Sequence, residues 1–184
     1  LVLDCGTGAR QLGVTLAAEA GGKPMSLKML ITHTHWDHIQ GFPFFVPAFL
    51  PGNEIDVYGP PSIDKPLEKV LRGQMDPEYF PVALGEMAAE IRVHEIRERH
   101  VPLPPFDVHA QYVNHPGVTM AYKVAIDGVT VVYATDLEPY RTLVGEAPVP
   151  HTGDDPNHLG RDCARLRHAA ELSARAGTAG TRRA

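Results

Sequence analysis

The chain has little of what several common protein classes need. Of its 184 residues only two are cysteine, Cys5 and Cys163. They stand in unlike contexts and form no metal-ligand spacing, so both are expected as reduced thiols of a cytoplasmic protein. Cys5, beside a strand and before Gly6, is expected as a small core residue rather than a nucleophile. No apolar run approaches membrane-spanning length, which sets aside a membrane protein. The 17 basic residues are outnumbered by 22 acidic ones, for a net charge of −5. No overall basic field therefore exists to hold nucleic acid in bulk. Neither an initiator methionine nor a signal peptide opens the chain. From Arg141 onward there is no Phe, Tyr, Trp, Ile or Lys, while seven Arg appear.

What is present suits one domain with a sizeable core. Hydrophobic residues make up 43% and charged residues 21%, ordinary values for a soluble globular protein. Histidine is better supplied, and its placement carries the argument. His33-Thr34-His35-Trp36-Asp37-His38 puts four possible metal ligands within six residues. The stretch follows Met29-Leu30-Ile31, which reads as a buried strand. A polar loop at a strand end is where α/β proteins commonly build sites. Alternate residues of extended backbone point the same way, so His33 and His35 can grip one ion. Asp37 and His38, past the bend, can turn toward a second. Imidazoles with carboxylate suit zinc, and also iron or manganese. A lone His-x-His would be read as surface loop; His-x-His-x-Asp-His after a buried strand favours metal.

Thr32-His33-Thr34-His35-Trp36-Asp37-His38 resembles the signature of the metallo-β-lactamase superfamily. Ile39-Gln40-Gly41-Phe42-Pro43-Phe44-Phe45 resembles its phosphodiesterase-type branch, which includes phosphoribosyl cyclic phosphodiesterases and ribonuclease Z. The resemblance runs from residue 1 to about Tyr140. It implies an α/β, four-layer αββα sandwich with two divalent metals at one edge between the sheets. It also implies further ligands. His115, in Asn114-His115-Pro116-Gly117, matches the third imidazole of the first metal, beside His33 and His35. Asp136, in Tyr133-Ala134-Thr135-Asp136-Leu137-Glu138, matches the carboxylate that bridges to the second metal of Asp37 and His38. Asp4 is implied beneath the metal loop as an outer partner of a ligand. The implied activity is hydrolysis, by a hydroxide shared between the ions, with Asp37 orienting it and taking its proton. The acidic net charge and lack of a basic arm favour a small cyclic or nucleotide-type phosphodiester. A thioester or lactone hydrolase would use the same ligands.

Other segments are read from local pattern. Leu1–Leu3 is expected as a strand. Ala9–Ala20 is expected as a helix with Leu12, Leu16 and Ala20 on one face, stopped by Gly21-Gly22. Gly6-Thr7-Gly8 lacks a P-loop's Lys and glycine spacing, and reads as a tight turn. Aromatics of the segment 42–49 are expected mostly in the core. Strands are expected at Glu54–Tyr58, Met87–Ile96 and Val108–Val113, and a helix at about Ile63–Arg72. Met75–Leu84 reads as irregular chain over the site, and the Pro-rich Val101–Asp107 as a loop. Val118–Ile126 and Val129–Ala134 are expected as a hairpin across Asp127-Gly128. His94, His100 and His109 read as surface or structural, with His100 an outside candidate ligand.

The domain is expected to span 1–140, with 141–184 a divergent or frame-shifted Ala/Arg-rich tail. His158–Ala176 reads as a helix within it. No last ligand of the second metal is identifiable, although the tail carries His151, His158 and His168. The second site is therefore expected to be weak, or the chain to be an impaired fragment lacking its first strands and its last motif. Exposed sheet edges would then favour a homodimer.

Overall fold

The computed structural model describes residues 1–138; the expectations for the segment 141–184 lie outside the described residues. Val2–Leu3 forms strand β1 and Gly8–Ala20 helix α1. Ser26–Leu30 is β2, and Trp36–Ile39 the short helix α2. Two 3₁₀ turns, Phe42–Phe44 and Val46–Phe49, lead to β3 at Glu54–Gly59. Leu67–Gly73 is α3, and Glu90–Glu95 is β4. Then come β5 (Arg99–Leu103), β6 (Phe106–Val113), β7 (Thr119–Ile126) and β8 (Val129–Tyr133).

The strands make two four-stranded sheets, β1-β2-β3-β4 and β5-β6-β7-β8. The first is parallel throughout and the second antiparallel. Side-chain alternation divides the core in two. Met29, Ile31, Ile55 and Val57 pack with the helices. Leu30, Leu3 and Tyr58 point the other way, against Val108, Ala110, Met120 and Tyr122 of the second sheet. A strand covered on both faces needs an apolar run, which is why Met29-Leu30-Ile31 is unbroken. The sheets are tied together where β2 ends. Tyr122 OH donates to the Ile31 carbonyl at 2.6 Å, and Met120 N–H to the Thr32 carbonyl at 2.9 Å.

Three expectations are corrected. Helix α1 turns Ala9, Gly13 and Leu16 inward, while Leu12 is left exposed. The reason is close approach: a Cβ on Gly13 would sit 2.9 Å from both Pro47 Cδ and Val46 N. Helix α3 begins at Leu67, four residues later than expected, because Pro66 holds extended backbone (ψ 147°) at its start. The Pro-rich 101–107 segment is no loop but the β5–β6 hairpin, with Pro102 opposite Asp107. The remaining strands fall where expected, with ends shifted by up to three residues. Asp127 and Gly128 turn the β7–β8 hairpin with φ of 49° and 78°. No helix among the described residues is long and apolar enough to cross a membrane.

Candidate metal centre

The site grows from the end of β2. Thr32 and His33 are buried, His35 keeps extended backbone, and α2 then carries Trp36, Asp37 and His38. Beneath them lies Asp4, at the end of β1, whose φ of 55° suits Asp or Asn better than most residues. The Asp4 carboxylate accepts from Thr32 N–H at 2.6 Å and from Thr32 Oγ1 at 2.9 Å. It also accepts from His38 Nδ1 at 2.7 Å and from Tyr133 OH at 3.1 Å. A carboxylate on Nδ1 leaves the His38 Nε2 lone pair free to face the site.

The expected ligands, far apart in the chain, converge. His33 Nε2 and His115 Nε2 lie 3.0 and 3.1 Å from His35 Nδ1. Asp136, at φ 47° just beyond β8, places Oδ2 2.9 Å from His38 Nε2 and 3.4 Å from His33 Nε2. Asp37 Oδ2 lies 3.4 Å from His38 Nε2, and its side chain is 71% exposed. All six expected ligands thus share one cluster, with Asp136 touching both halves.

Electrostatics suit it to cations. Burial, reinforced by His38, His35 and His115, pushes the His33 imidazole down to about 4. His33 is therefore neutral at pH 7, the form that binds metal. For His38 burial works downward, but the Asp4 hydrogen bond and the charges of Asp4, Asp37 and Asp136 outweigh it and raise the pKa. Burial and the neighbouring Asp4 charge push the Tyr133 hydroxyl up, so it stays a donor. Cys5, pushed up to about 12 by burial and then by Asp4, is an inert thiol.

The donor set fits divalent ions. His33, His35 and His115 form one group of converging donors; His33, His38 and Asp136 form another. His35 Nδ1, about 3 Å from both the His33 and the His115 nitrogen, has two poor partners in them. A tetrahedral ion with bonds of about 2.0–2.1 Å separates its ligands by about 3.3 Å, close to what is seen.

The other described histidines lie elsewhere. His94 stacks on Tyr58 and bonds Asp56 at 2.8 Å. His100 and His109 face each other across β5 and β6 beside Asp107, all exposed. His100 is thus no ligand of this cluster.

Sequence reasoning passed over the two glycines that let the metal loop sit down. A Cβ on Gly41 would lie 1.9 Å from the Gly6 carbonyl oxygen, and one on Gly6 2.3 Å from the Asp37 oxygen. The loop is pinned there by Cys5 N–H to the His38 carbonyl (2.7 Å) and Gly41 N–H to the Cys5 carbonyl (2.8 Å). The Gly6-Thr7-Gly8 turn therefore supports the ligand loop. Gly41→Ala is expected to lower stability by about 3 kcal/mol, the upper end for overpacking, since backbone must move. Thermal denaturation with metal analysis checks it; an unchanged Tm and metal content would contradict the close-packing argument.

The family described as the β-lactamase superfamily domain matches residues 1–149. Ribonuclease Z of Methanothermobacter thermautotrophicus is 35% identical over 101 residues, covering 52% of this chain and 28% of that protein. The chain thus matches under a third of that relative's length. Unliganded yeast PDE1 superposes with a TM-score of 0.52 at 19% identity, over 65% of this chain and 37% of that one. The metallo-β-lactamase fold protein YhfI of Bacillus subtilis gives 0.46 at 19% identity, over 71% and 48%.

Proposed function

The chain belongs to the β-lactamase superfamily, and on that premise we propose that it is a metal-dependent hydrolase of phosphodiesters. The observation that carries the reading is the meeting of His33, His35, His38, His115 and Asp136, with Asp136 Oδ2 on ring nitrogens of both His33 and His38. Similarity to a ribonuclease Z supports the phosphodiester as the bond. The net charge of −5 favours a small cyclic or nucleotide-type substrate over a long nucleic acid.

His33, His35 and His115 would hold one divalent ion. His38, Asp37 and Asp136 would hold a second, with Asp136 shared. Three neutral imidazoles favour zinc at the first. Bound there, the ions supply Lewis acidity and lower the pKa of water. The protein's own groups do the rest. Asp4 fixes the His38 ring, and Thr32 Oγ1, 3.1 Å from His33 Nδ1, steadies that of His33. Asp37, at the solvent face, accepts the proton of the attacking water at its carboxylate. The water oxygen bonds to phosphorus as the ester P–O bond breaks.

Bis(p-nitrophenyl) phosphate assayed beside a thioester and a lactone tests the proposal. Diester hydrolysis that a chelator abolishes is the expected result. Turnover of only the thioester or lactone would overturn the choice of bond, and no turnover of any would overturn the hydrolase. A second prediction follows from the ligand sets. The first ion has three imidazoles, whereas the second relies on Asp37, His38 and a shared carboxylate. Extensive dialysis is expected to leave about one ion per chain by elemental analysis, since the three-imidazole site is the more complete. Two retained ions would show the second set to be complete.

A further inference from the structure

A cavity of about 540 Å³ opens beside the ligand loop. It shares Trp36 with α2, and is also lined by Gln40, Phe44, Gln74, Tyr79 and Phe80. Four of the chain's aromatic residues meet here, including its one tryptophan. Much of their surface is left in water: Trp36 is 70% exposed, Tyr79 81% and Phe44 52%. Single exposed aromatics are ordinary, but several around one concavity mark a binding surface. Phe44 and Phe80 hold each other edge to face, with centroids 5.4 Å apart.

Gln74 adds an independent observation. Its Oε1 and Nε2 are both shut off from solvent, and neither has a hydrogen-bond partner among the described residues. A buried amide without partners is costly, and each such group calls for an explanation. The cavity that Gln74 lines supplies one, because an occupant there brings polar partners beside the amide. An amide offers one acceptor and one donor side by side.

The two observations select the occupant. A hydrocarbon would cover the rings and leave the amide unpaired. A phosphate would pair with the amide and leave the rings wet, and no charged residue among the described ones lines the cavity to hold an anion. A flat heteroaromatic ring with adjoining donor and acceptor atoms satisfies both, by stacking and by edge pairing. We infer that this cavity receives the nucleobase of a nucleotide-type diester, whose phosphate then lies toward the His33–His38 loop. The ring site stands on the cavity alone; the direction of the phosphate rests on the hydrolase reading above.

Trp36 reports on the site directly, because no other tryptophan contributes fluorescence. The protein as purified is titrated with adenosine 5′-monophosphate and, separately, with ribose 5-phosphate. Saturable quenching by the nucleotide, and little by the sugar phosphate, is expected. Phe80→Ala and Gln74→Leu are each expected to weaken nucleotide binding roughly tenfold, by losing a stacking face and an edge partner. Gln74→Leu should keep or raise Tm, since it removes an unpaired amide, whereas an amide with a structural role would lose stability. Equal quenching by both titrants, unchanged binding by the two variants, or quenching that follows protein self-association would each overturn the inference. Diester hydrolysis without nucleotide quenching sinks the ring site alone. Quenching without hydrolysis sinks the hydrolase reading and leaves the ring site standing.

Discussion

Asp4→Ala is expected to unfold the centre from below, lowering stability by about 3–5 kcal/mol, the range for removing one partner of a buried charged pair. Asp4 is 7% exposed and accepts from four donors on three other parts of the chain. Alanine answers none of them. Thr32 N–H, Thr32 Oγ1 and the Tyr133 hydroxyl lose their acceptor at once, and each buried unpaired group costs about 1–3 kcal/mol. Alanine also tolerates φ 55° poorly, at about 1–2 kcal/mol. The sum is reduced to the extent that the site relaxes or admits water.

Asp4→Asn separates folding from function. Asparagine keeps the backbone conformation and an oxygen for Thr32 N–H. It removes the charge that holds His38 Nδ1 as a donor, so His38 Nε2 is no longer reserved for the site. The expected result is a Tm close to that of the unchanged protein. Hydrolysis of bis(p-nitrophenyl) phosphate should fall roughly 10–100-fold, with a matching loss of metal affinity. Thermal denaturation and kcat/KM measured on both variants decide it. Full activity in Asp4→Asn would show that the His38 contact is incidental.

How far the sequence foretold this arrangement differs from element to element. The run Met29-Leu30-Ile31 announced β2 because a strand packed on both faces must be apolar throughout. Asp127-Gly128 announced the β7–β8 hairpin because few residue pairs accept positive φ in succession. The β5–β6 hairpin was hidden by Pro102, Pro104 and Pro105. Proline is tolerated in an edge strand, where one row of N–H groups has no ladder to join, so its presence misled. The inward face of α1 was hidden by Gly13. Apolar periodicity selects large residues, whereas here the contact with Pro47 and Phe45 is made by the absence of a side chain.

The site was readable in the same uneven way. His33, His35, Asp37 and His38 are neighbours in the chain, and their spacing alone argues for cations. His115 and Asp136 join them across 80 and 98 residues, through contacts with His35 and His38. Only topology makes such meetings, and a single sequence reports topology through family resemblance, not through spacing. Thr32, Tyr133 and Gly41 carried no signal of their own, because an outer hydrogen bond or a missing Cβ has no residue pattern. The same holds for Gln74, whose lack of partners exists only in the folded chain.

His33→Ala is expected to remove all detectable diester hydrolysis and to leave no retained ion, and the comparison with His115→Ala shows why. His33 belongs to both groups of converging donors, whereas His115 belongs to one. Its Nε2 lies 3.0 Å from His35 Nδ1 and 3.4 Å from Asp136 Oδ2, and its ring centroid is 4.2 Å from that of His38. Alanine at 33 therefore strips a donor from each group, and leaves the first with two imidazoles. Alanine at 115 spares His33, His38 and Asp136. Loss of an outer partner alone costs about 10–100-fold in metal affinity or activity, so loss of a ligand that also touches the shared Asp136 must exceed that. The fold should survive. His33 is neutral in the folded chain, so its removal leaves no buried charge unpaired, and the crowding of imidazoles about 3 Å apart is relieved. Circular dichroism and Tm of the metal-free proteins are expected to stay close to those of the unchanged chain. Elemental analysis and kcat/KM then rank the variants, His33→Ala below His115→Ala in both. Equal retention of metal by the two would mean that the contact of His33 with the shared Asp136 adds nothing to the hold on either ion.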